Sequence, residues 1–519
     1  MRRQYRLNVV GLMAALMLTS CTGKPDAGSD LASRLGDYQA LHGFLDMYWD
    51  EEAGRLLFGV KDFGQPFVYQ SALSHGVGSN DLGLDRGQLG RTRLVEFRRS
   101  GPKILLLQRN LNYRAEGAGV AERQAVQESF ASSVIWGFKS LGEINGAVYV
   151  DATDFVLRDA HAIGATLKAR QEGEYTVDAT RSAVYLPRTK AFPDNSEVEA
   201  IVTFSGTSSG EILSTVAPDA NSITVHMHHS FIRLPDDNYK PLPYDPRSGF
   251  IGLDYERNGF RDYAADIGEP LITNYGRRHR LEKKDAAAKV SEAVKPIVYF
   301  VDRGVPEPVR TALEGASWWN QAFEAAGYKH AFRVELLPEG ADPMDVRYNV
   351  IQWVHRSTRG WSYGGSVVDP RTGEIIKGQV SLGSLRVRQD YLIAEGLLAP
   401  YVGNRVPGEM LEMSLARIRQ LAAHEVGHTL GLEHNFAAST QNRASVMDYP
   451  FPLIRFNAGG ELDLSAAYDV GIGEWDKRAI LYGYQDFAAG VDVAAAREQI
   501  LKQSISSYKF VADDDSRAI

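Results

Sequence analysis

The twelve residues 424–435, with the sequence HEVGHTLGLEHN, contain three histidines, two glutamates and two glycines. On a helix, His424 and His428 lie one turn apart on the same face, where two imidazoles can bind a single tetrahedral metal ion. Gly431 can adopt the left-handed conformation that ends a helix, and that turn would bring His434 to the same ion. Three nitrogen ligands leave one coordination position open for water, as in catalytic zinc sites, so the pattern predicts Zn²⁺ as the cofactor.

The neighbouring Glu425 directly follows the first predicted ligand and therefore lies beside the predicted ion. A carboxylate in this place can act as the general base towards a metal-activated water. A long helix is predicted over residues 408–430, because apolar side chains recur there every three or four positions: Leu411, Leu415, Ile418, Ala422, Val426 and Leu430. This apolar stripe lies roughly opposite the histidines, so one helix face is expected to pack on a sheet while the other faces an open cleft.

The full pattern, H-E-x-x-H-x-x-G-x-x-H followed by SVMDYP, resembles the signature of the metzincin clan of zinc peptidases. The resemblance implies that Met447 forms the Met-turn beneath the zinc without binding it. It also implies one of two roles for Tyr449, two positions later: a catalytic group that ligates zinc or stabilises the oxyanion, or a packed wall of the specificity pocket. The expected reaction is peptide-bond hydrolysis by a zinc-dependent endopeptidase, with Glu425 as the general base.

Two further stretches, GWSYGGSVVDPRTGEIIKGQVSLG and GIGEWDKRAILYGY, resemble the substrate-side sheet edge and the closing helix of that clan. The predicted edge strand, along which a substrate peptide would add as a further strand, is formed by Gly378, Gln379, Val380, Ser381 and Leu382. The alternative is an interior strand with no free edge. The chain as a whole is most similar to bacterial envelope zinc metalloproteases, in which a metzincin catalytic domain follows a β-rich domain of unknown function.

The N-terminus has the features of an export signal. Arginines at positions 2, 3 and 6 precede an apolar stretch at 7–18 that is too short for a stable membrane anchor. The sequence LTSC at 18–21 resembles a bacterial lipobox, which implies lipidation of Cys21 and an outer-membrane lipoprotein on the periplasmic or the cell-surface face. The expected partners are a peptide or protein substrate and, through this anchor, the membrane. A net charge of −8 argues against nucleic acid.

The chain is predicted to have an α+β fold. Five segments follow one another: a lipoprotein signal peptide at 1–21, a tether at 22–40, a β-rich domain of unknown function at 41–290, a metzincin-like catalytic domain at 291–485 and a C-terminal tail at 486–519. In the β-rich part, Gly54 and Gly101 are expected to turn hairpins, and one helix is expected near residues 120–134. From residue 295 the order strand, helix, strand, strand, helix predicts a twisted mixed sheet with the long helix beneath it.

Two other functions stay open at this point. The first is a lipid-anchored binding or assembly protein whose metzincin-like cleft is catalytically silent. The second is a zinc hydrolase of a non-peptide amide, such as a cell-wall cross-link. The histidines of VHMHHS at 225–230 are interpreted as solvated or cross-strand side chains rather than as a second metal site.

Overall fold

The computed structural model describes residues 27–115, 117–253, 259–398 and 407–517. The predicted signal peptide and the predicted lipidation site, Cys21, lie outside these ranges and stay predictions. No helix within the described ranges is long and apolar enough to cross a membrane. The fold class is α+β as predicted, because a β-rich N-terminal domain is followed by a domain that combines helices with a mixed sheet.

The N-terminal domain is built on an antiparallel sheet of 13 strands. They are β1 Gln39–Leu41, β2 Asp46–Asp50, β3 Arg55–Val60, β4 Phe67–His75, β5 Arg93–Ser100, β6 Lys103–Gln108, β7 Ser133–Ile144, β8 Ala147–Asp151, β9 Gly173–Val177, β10 Ala183–Val184, β11 Lys190–Ala191, β12 Asn195–Ser208 and β13 Ser222–Ile232. Their order is β1-β2-β3-β8-β7-β6-β5-β4-β13-β12-β9, and β10 and β11 pair with β12. Gly54 and Gly101, both with positive φ, turn the predicted hairpins β2–β3 and β5–β6.

The helices of this half are short, and α2 has no buried residue. They are α1 Ala27–Asp37, α2 Val120–Ser129, α3 Thr153–Leu157, α4 Ile163–Ala169 and α5 Ile212–Val216. Helix α2 confirms the helix predicted near residues 120–134. Helix α1 occupies residues assigned to the tether, and its Leu31 is buried against Ala147 and Tyr149. A solvated tether is therefore wrong for residues 27–37, because apolar surface there gains more from packing than from solvation.

The second domain contains a five-stranded sheet. Its strands are β14 Ile297–Val301, β15 Phe332–Leu336, β16 Asn349–Val354, β17 Tyr363–Val368 and β18 Ile375–Gly383. The order across the sheet is β15-β14-β16-β18-β17, with β17 antiparallel to β18 and the other pairs parallel.

Strand β18 has a neighbour on each side, so it cannot be the edge at which a substrate adds. Gly378, Gln379, Val380, Ser381 and Leu382 all pair with β17 or β16, and the predicted substrate edge is therefore wrong. The free edge belongs to β17 instead. Strands β17 and β18 form one hairpin, and a hairpin sequence does not say which of its arms joins the rest of the sheet.

The helices of the second domain are α6 Val309–Ala312, α7 Trp319–Ala325, α8 Leu385–Leu398, α9 Gly408–Thr429, α10 Glu474–Tyr484, α11 Val493–Ser507 and α12 Asp513–Arg517. Helix α9 is the predicted long helix, and it packs beneath β17 and β18. Five of the six residues of its predicted stripe are buried, whereas Leu411 is exposed. The other face is open only in part near the motif, since His424 is 1% exposed whereas His428 and His434 are partly exposed. Helix α10 matches the predicted closing helix.

Shorter ladders and turns complete the described chain. The remaining strands have two or three residues. Phe260–Asp262 pairs with Tyr113–Arg114 on one side and with Ile272–Thr273 on the other, and the other pairs are Leu242–Pro243 with Tyr275–Gly276, Ser291–Glu292 with Tyr328–Lys329, and Arg455–Phe456 with Leu462–Asp463. The 3-10 turns are Ala179–Arg181, Leu186–Arg188, Leu313–Trp318 and Ala438–Gln441.

A buried ion pair joins the two domains beside strand β17. The Arg356 guanidinium lies 2.5 Å from the Asp85 carboxylate, and both side chains are at most 1% exposed. The Tyr363 hydroxyl donates a second hydrogen bond of 2.5 Å to the same carboxylate. Because Tyr363 begins β17, the β-rich domain holds the edge strand in place.

Candidate metal centre

Helix α9 ends where the sequence predicts, at a glycine that no other residue can replace without strain. Gly431 has a φ of +100°, in the left-handed region that favours glycine. A Cβ at this position would also lie 1.9 Å from the carbonyl oxygen of Arg277. The N–H of Leu432 donates to the carbonyl of Gly427, which closes the last turn and redirects the chain.

This turn brings the third histidine back to the other two. The ligand nitrogens of His424, His428 and His434 all lie within 4.8 Å of one another. The Nε2 atoms of His428 and His434 are 3.2 Å apart, a separation that two ligands of one tetrahedral ion can have. The structure therefore brings the three predicted metal ligands together.

The outer nitrogen of each imidazole faces a hydrogen-bond acceptor. His424 Nδ1 donates to the Val446 carbonyl at 2.8 Å, and His428 Nδ1 donates to the Leu432 carbonyl at 2.8 Å. His434 Nδ1 lies 2.5 Å from the Asp513 carboxylate. Because acceptors occupy all three outer sides, each Nδ1 carries the proton and each Nε2 keeps its lone pair for a metal.

The donor set fits zinc on two further observations. His424 Nε2 is buried and has no hydrogen-bond partner among the described residues. Burial, reinforced by the other two imidazoles, lowers the pKa of His424 well below its ordinary value, and burial lowers that of His428 to about 3. Neutral imidazoles with an unused buried lone pair are what a divalent cation requires.

Glu425 is buried next to the three histidines and is 2% exposed. Burial raises the pKa of its carboxyl to about 8, while the charge of Arg417 and a hydrogen bond from the Gly364 N–H act in the opposite direction. A bound dication would lower this pKa again. A buried carboxyl whose pKa lies near neutrality is the type of group that general-base catalysis requires.

Strand β17 approaches the helix closely at Gly364. A Cβ there would lie 2.1 Å from the carbonyl oxygen of Glu425 and 3.0 Å from the Cβ of His428. Glycine at this position allows the edge strand to lie directly against the metal-binding turn of helix α9.

Met447 and Tyr449 lie where the Met-turn resemblance implies. Met447 is fully buried, and a Cβ at Gly427 would lie 2.2 Å from its Sδ, so the thioether packs on the helix between the first two histidines. The Tyr449 ring centroid lies 5.1 Å from that of His424 and 4.7 Å from that of His434, with 49% of the residue exposed. The ring therefore lines the open side of the centre.

The closing helix α10 holds this turn. Asp476 accepts a 2.5 Å hydrogen bond from the Ser445 hydroxyl and a 2.8 Å hydrogen bond from the Val446 N–H. The Val446 carbonyl in turn accepts from His424, so the chain from Asp476 to the first predicted ligand is continuous.

Residues 407–519 match the family model described as Met-zincin. This Met-zincin segment begins at helix α9 and includes the three histidines, Glu425 and Met447. Residues 87–284 match a domain of unknown function (DUF5117), which covers most of the β-rich half. No curated protein matches the chain. The Met-zincin match and the histidine cluster together indicate a zinc metallopeptidase.

Two further residues of the Met-zincin segment support the centre, and the sequence alone does not indicate these roles. Asn435 is fully buried, and its side chain donates to the Lys509 carbonyl and accepts from the Val511 N–H. These bonds dock the tail that carries Asp513 behind His434. No local pattern could reveal Asp513 because it lies 79 positions from its partner.

The histidines of strand β13 form a separate cross-strand network. His226 and His228 lie on one face, opposite Ile201 and Glu199 of β12. His228 Nε2 lies 2.5 Å from Glu197, and His226 Nδ1 lies 2.7 Å from Glu199. Arg188 lies 3.2 Å from the second oxygen of Glu199, so the buried carboxylate has cationic partners within the protein. These contacts agree with the interpretation of cross-strand histidines, but His75 of β4 joins His226 and Glu199 in a group whose ligand atoms all lie within 4.8 Å of one another, so the same network could also hold a metal ion.

Proposed function

We propose that the protein is a zinc-dependent endopeptidase in which Glu425 is the general base. One observation carries the proposal: three imidazoles converge with their Nδ1–H groups anchored and their Nε2 lone pairs directed at a common point, beside a buried carboxylate. The Met-zincin match supports the same conclusion. All three predicted zinc ligands and the predicted base are present, whereas a catalytically silent cleft would not require all four residues.

In this proposal His424, His428 and His434 hold the ion. When bound, zinc polarises the scissile carbonyl and lowers the pKa of a water molecule towards neutrality. Glu425 accepts the proton of that water on its carboxylate and returns it to the leaving amine. The Tyr449 hydroxyl, on the open side of the centre, donates a hydrogen bond to the developing oxyanion, an effect of about 3 kcal/mol.

The substrate peptide binds as an added strand along β17. Supporting this placement, β17 pairs only with β18 among the described strands, which leaves its other edge available. Its Gly364 contacts Glu425 directly, so a peptide on that edge passes the base. Main-chain pairing of this kind tolerates many sequences and leaves selectivity to side-chain pockets.

The proposed location is the bacterial cell envelope, with a lipid on Cys21 as the membrane anchor. Support for this part comes from the sequence at 18–21 alone. A C21S variant should lose its lipid and move from the membrane fraction to the soluble fraction. If C21S stays in the membrane fraction in the same amount as the wild type, the anchor proposal is wrong.

A peptide-library digest with protein that starts after Cys21 tests the function. We expect cleavage that is abolished by a zinc chelator and restored by added Zn²⁺. A parallel digest of cell-wall material tests the amide-hydrolase alternative. Zinc-loaded protein that cleaves neither material would contradict the endopeptidase and favour a binding protein.

A further inference from the structure

A large cavity lies between the two domains beside the free edge of β17. Its volume is about 1190 Å³, which is ample for several residues of an extended peptide. On one side it is lined by five residues of β17, and on the other by residues 87–94 and 108–112 of the β-rich domain. The β17 residues are Tyr363, Gly364, Gly365, Ser366 and Val368. Because Gly364 belongs to this lining and also contacts Glu425, the cavity opens next to the proposed base.

Arginine dominates the charged lining of this cavity. The described lining residues include no aspartate or glutamate, and the arginines are Arg91, Arg93, Arg109, Arg114 and Arg277. The chain as a whole carries a net charge of −8, so this local excess of cations is opposite in sign to the protein. A cleft lined by one sign of charge concentrates ligands of the other sign.

Three of these arginines have partners in the protein. Arg109 donates to the buried carboxylate of Glu96. Arg114 donates to the carbonyls of Pro370 and Arg371, and Arg277 donates to the carbonyls of Gly252 and Leu253. These side chains build the cavity wall, and Arg114 joins it to the second domain.

Arg93 and Arg91 are placed differently. The Nη1 atom of Arg93 is buried and has no hydrogen-bond partner among the described residues. The Gln70 side chain, which also lines the cavity, is 3% exposed and its carbonyl oxygen has no donor in the described part of the chain, so this atom requires an N–H group rather than an anion. Arg91 is exposed, and none of the ion pairs between described residues includes it. A buried guanidinium N–H without an acceptor is costly, so an external anion at this point would stabilise it.

We propose that this cavity is a substrate subsite for acidic peptides, in which an aspartate or glutamate side chain close to the scissile bond pairs with Arg93 and Arg91. The inference rests on the proposed function and names its substrate class. A peptide paired with β17 directs alternate side chains away from the sheet, towards the β-rich domain that carries the two arginines. The β-rich domain thereby contributes selectivity, while the other domain contributes the catalytic groups.

The test uses peptides that differ only by Glu, Gln or Lys, placed in turn at each of four positions on either side of one scissile bond. For the wild type we expect at least one position at which Glu raises kcat/KM about 10-fold over Gln, and Lys lowers it. R93Q should remove most of this preference for Glu over Gln, and R91Q should weaken the preference less. R333Q, on β15 at the opposite edge of the sheet, is the matched control and should keep the full preference.

Equal cleavage of the Glu, Gln and Lys peptides by wild type overturns the subsite and leaves the endopeptidase intact. Zinc-loaded protein that cleaves none of them contradicts the endopeptidase. In that case the binding of the intact peptides to E425Q, measured by fluorescence anisotropy, still tests the cavity. The subsite predicts that the Glu peptide binds more tightly than the Gln and Lys peptides and that salt weakens its binding. If R93Q does not fold, as judged by its melting curve, the exposed Arg91 carries the test, and an unchanged preference in R91Q overturns the proposal.

Discussion

Truncation of Asp513 should weaken zinc binding although this residue is not a ligand. Its carboxylate accepts the Nδ1–H of His434 at 2.5 Å, and the tail that carries it is docked by Asn435. In D513A that N–H loses its acceptor, so the ring is free to rotate away from the position in which Nε2 faces the other two imidazoles.

The size of the effect follows from the type of bond and its exposure. A hydrogen bond to a charged group contributes about 1.5–3 kcal/mol, and 1.4 kcal/mol corresponds to a tenfold change in affinity. The Asp513 side chain is 38% exposed, so water competes for the imidazole and the lower end applies. We expect the Kd for Zn²⁺ to rise about 10-fold in D513A and less in D513N, whose amide oxygen can still accept.

The assay is competition for Zn²⁺ with a chromophoric chelator, which needs no substrate and no turnover. D514A is the matched control, since Asp514 is the next residue on α12 and is exposed. Melting curves of the metal-free variants show whether the tail still docks. A Kd in D513A within twofold of wild type, or an equal loss in D514A, would refute the positioning of His434 by Asp513.

The remaining predictions concern the approach of β17, the helix end and the cross-strand histidines. G364A should lower kcat at least 10-fold with normal zinc content, because a Cβ would lie 2.1 Å from the Glu425 carbonyl oxygen and would push β17 away from the helix. A G364A variant with the wild-type kcat would contradict a need for the close approach of β17 to Glu425. G431A should destabilise the protein by about 3 kcal/mol or more, because of the +100° φ and the 1.9 Å approach to Arg277; an unchanged melting temperature would contradict this. Burial acts to lower the pKa of His228, but Glu197 and Glu199 outweigh it and raise the pKa to about 9. The stabilisation by protonated His228 should therefore be complete below pH 6.5 and lost as the pH rises through 9. Urea unfolding should show a decrease of about 3 kcal/mol in the free energy of unfolding over this range. The cations near this carboxylate pair are Arg188 and Lys377. An H228Q variant with the same pH dependence as wild type would contradict that assignment.

The metal centre was predictable because its information is local. His424, His428 and His434 lie within eleven positions, and helix periodicity together with one glycine determines how they meet. The same holds for helix α9 and for the hairpins at Gly54 and Gly101, whose signals lie within a few residues.

The errors arose where non-local packing decides. The sequence predicts the hairpin β17–β18 but not which of its two strands lies at the edge, because the pairing of β18 with β16 is set by the whole sheet. Burial of α9 on both faces depends on layers contributed by distant segments, such as Trp319, whose indole N–H donates to the Ala423 carbonyl. Asp513 and Arg356 lie 79 and 271 positions away from their partners in the sequence, and no pattern within a single sequence predicts contacts at such separations.

The central claim is that the three histidines hold a zinc ion and that Glu425 transfers the proton. The most direct test compares zinc content and peptide turnover of wild type and E425Q in the same samples. We predict equal zinc content in the two proteins and a loss of turnover of at least about 1,000-fold in E425Q. Turnover by zinc-loaded E425Q at the wild-type rate would contradict the claim.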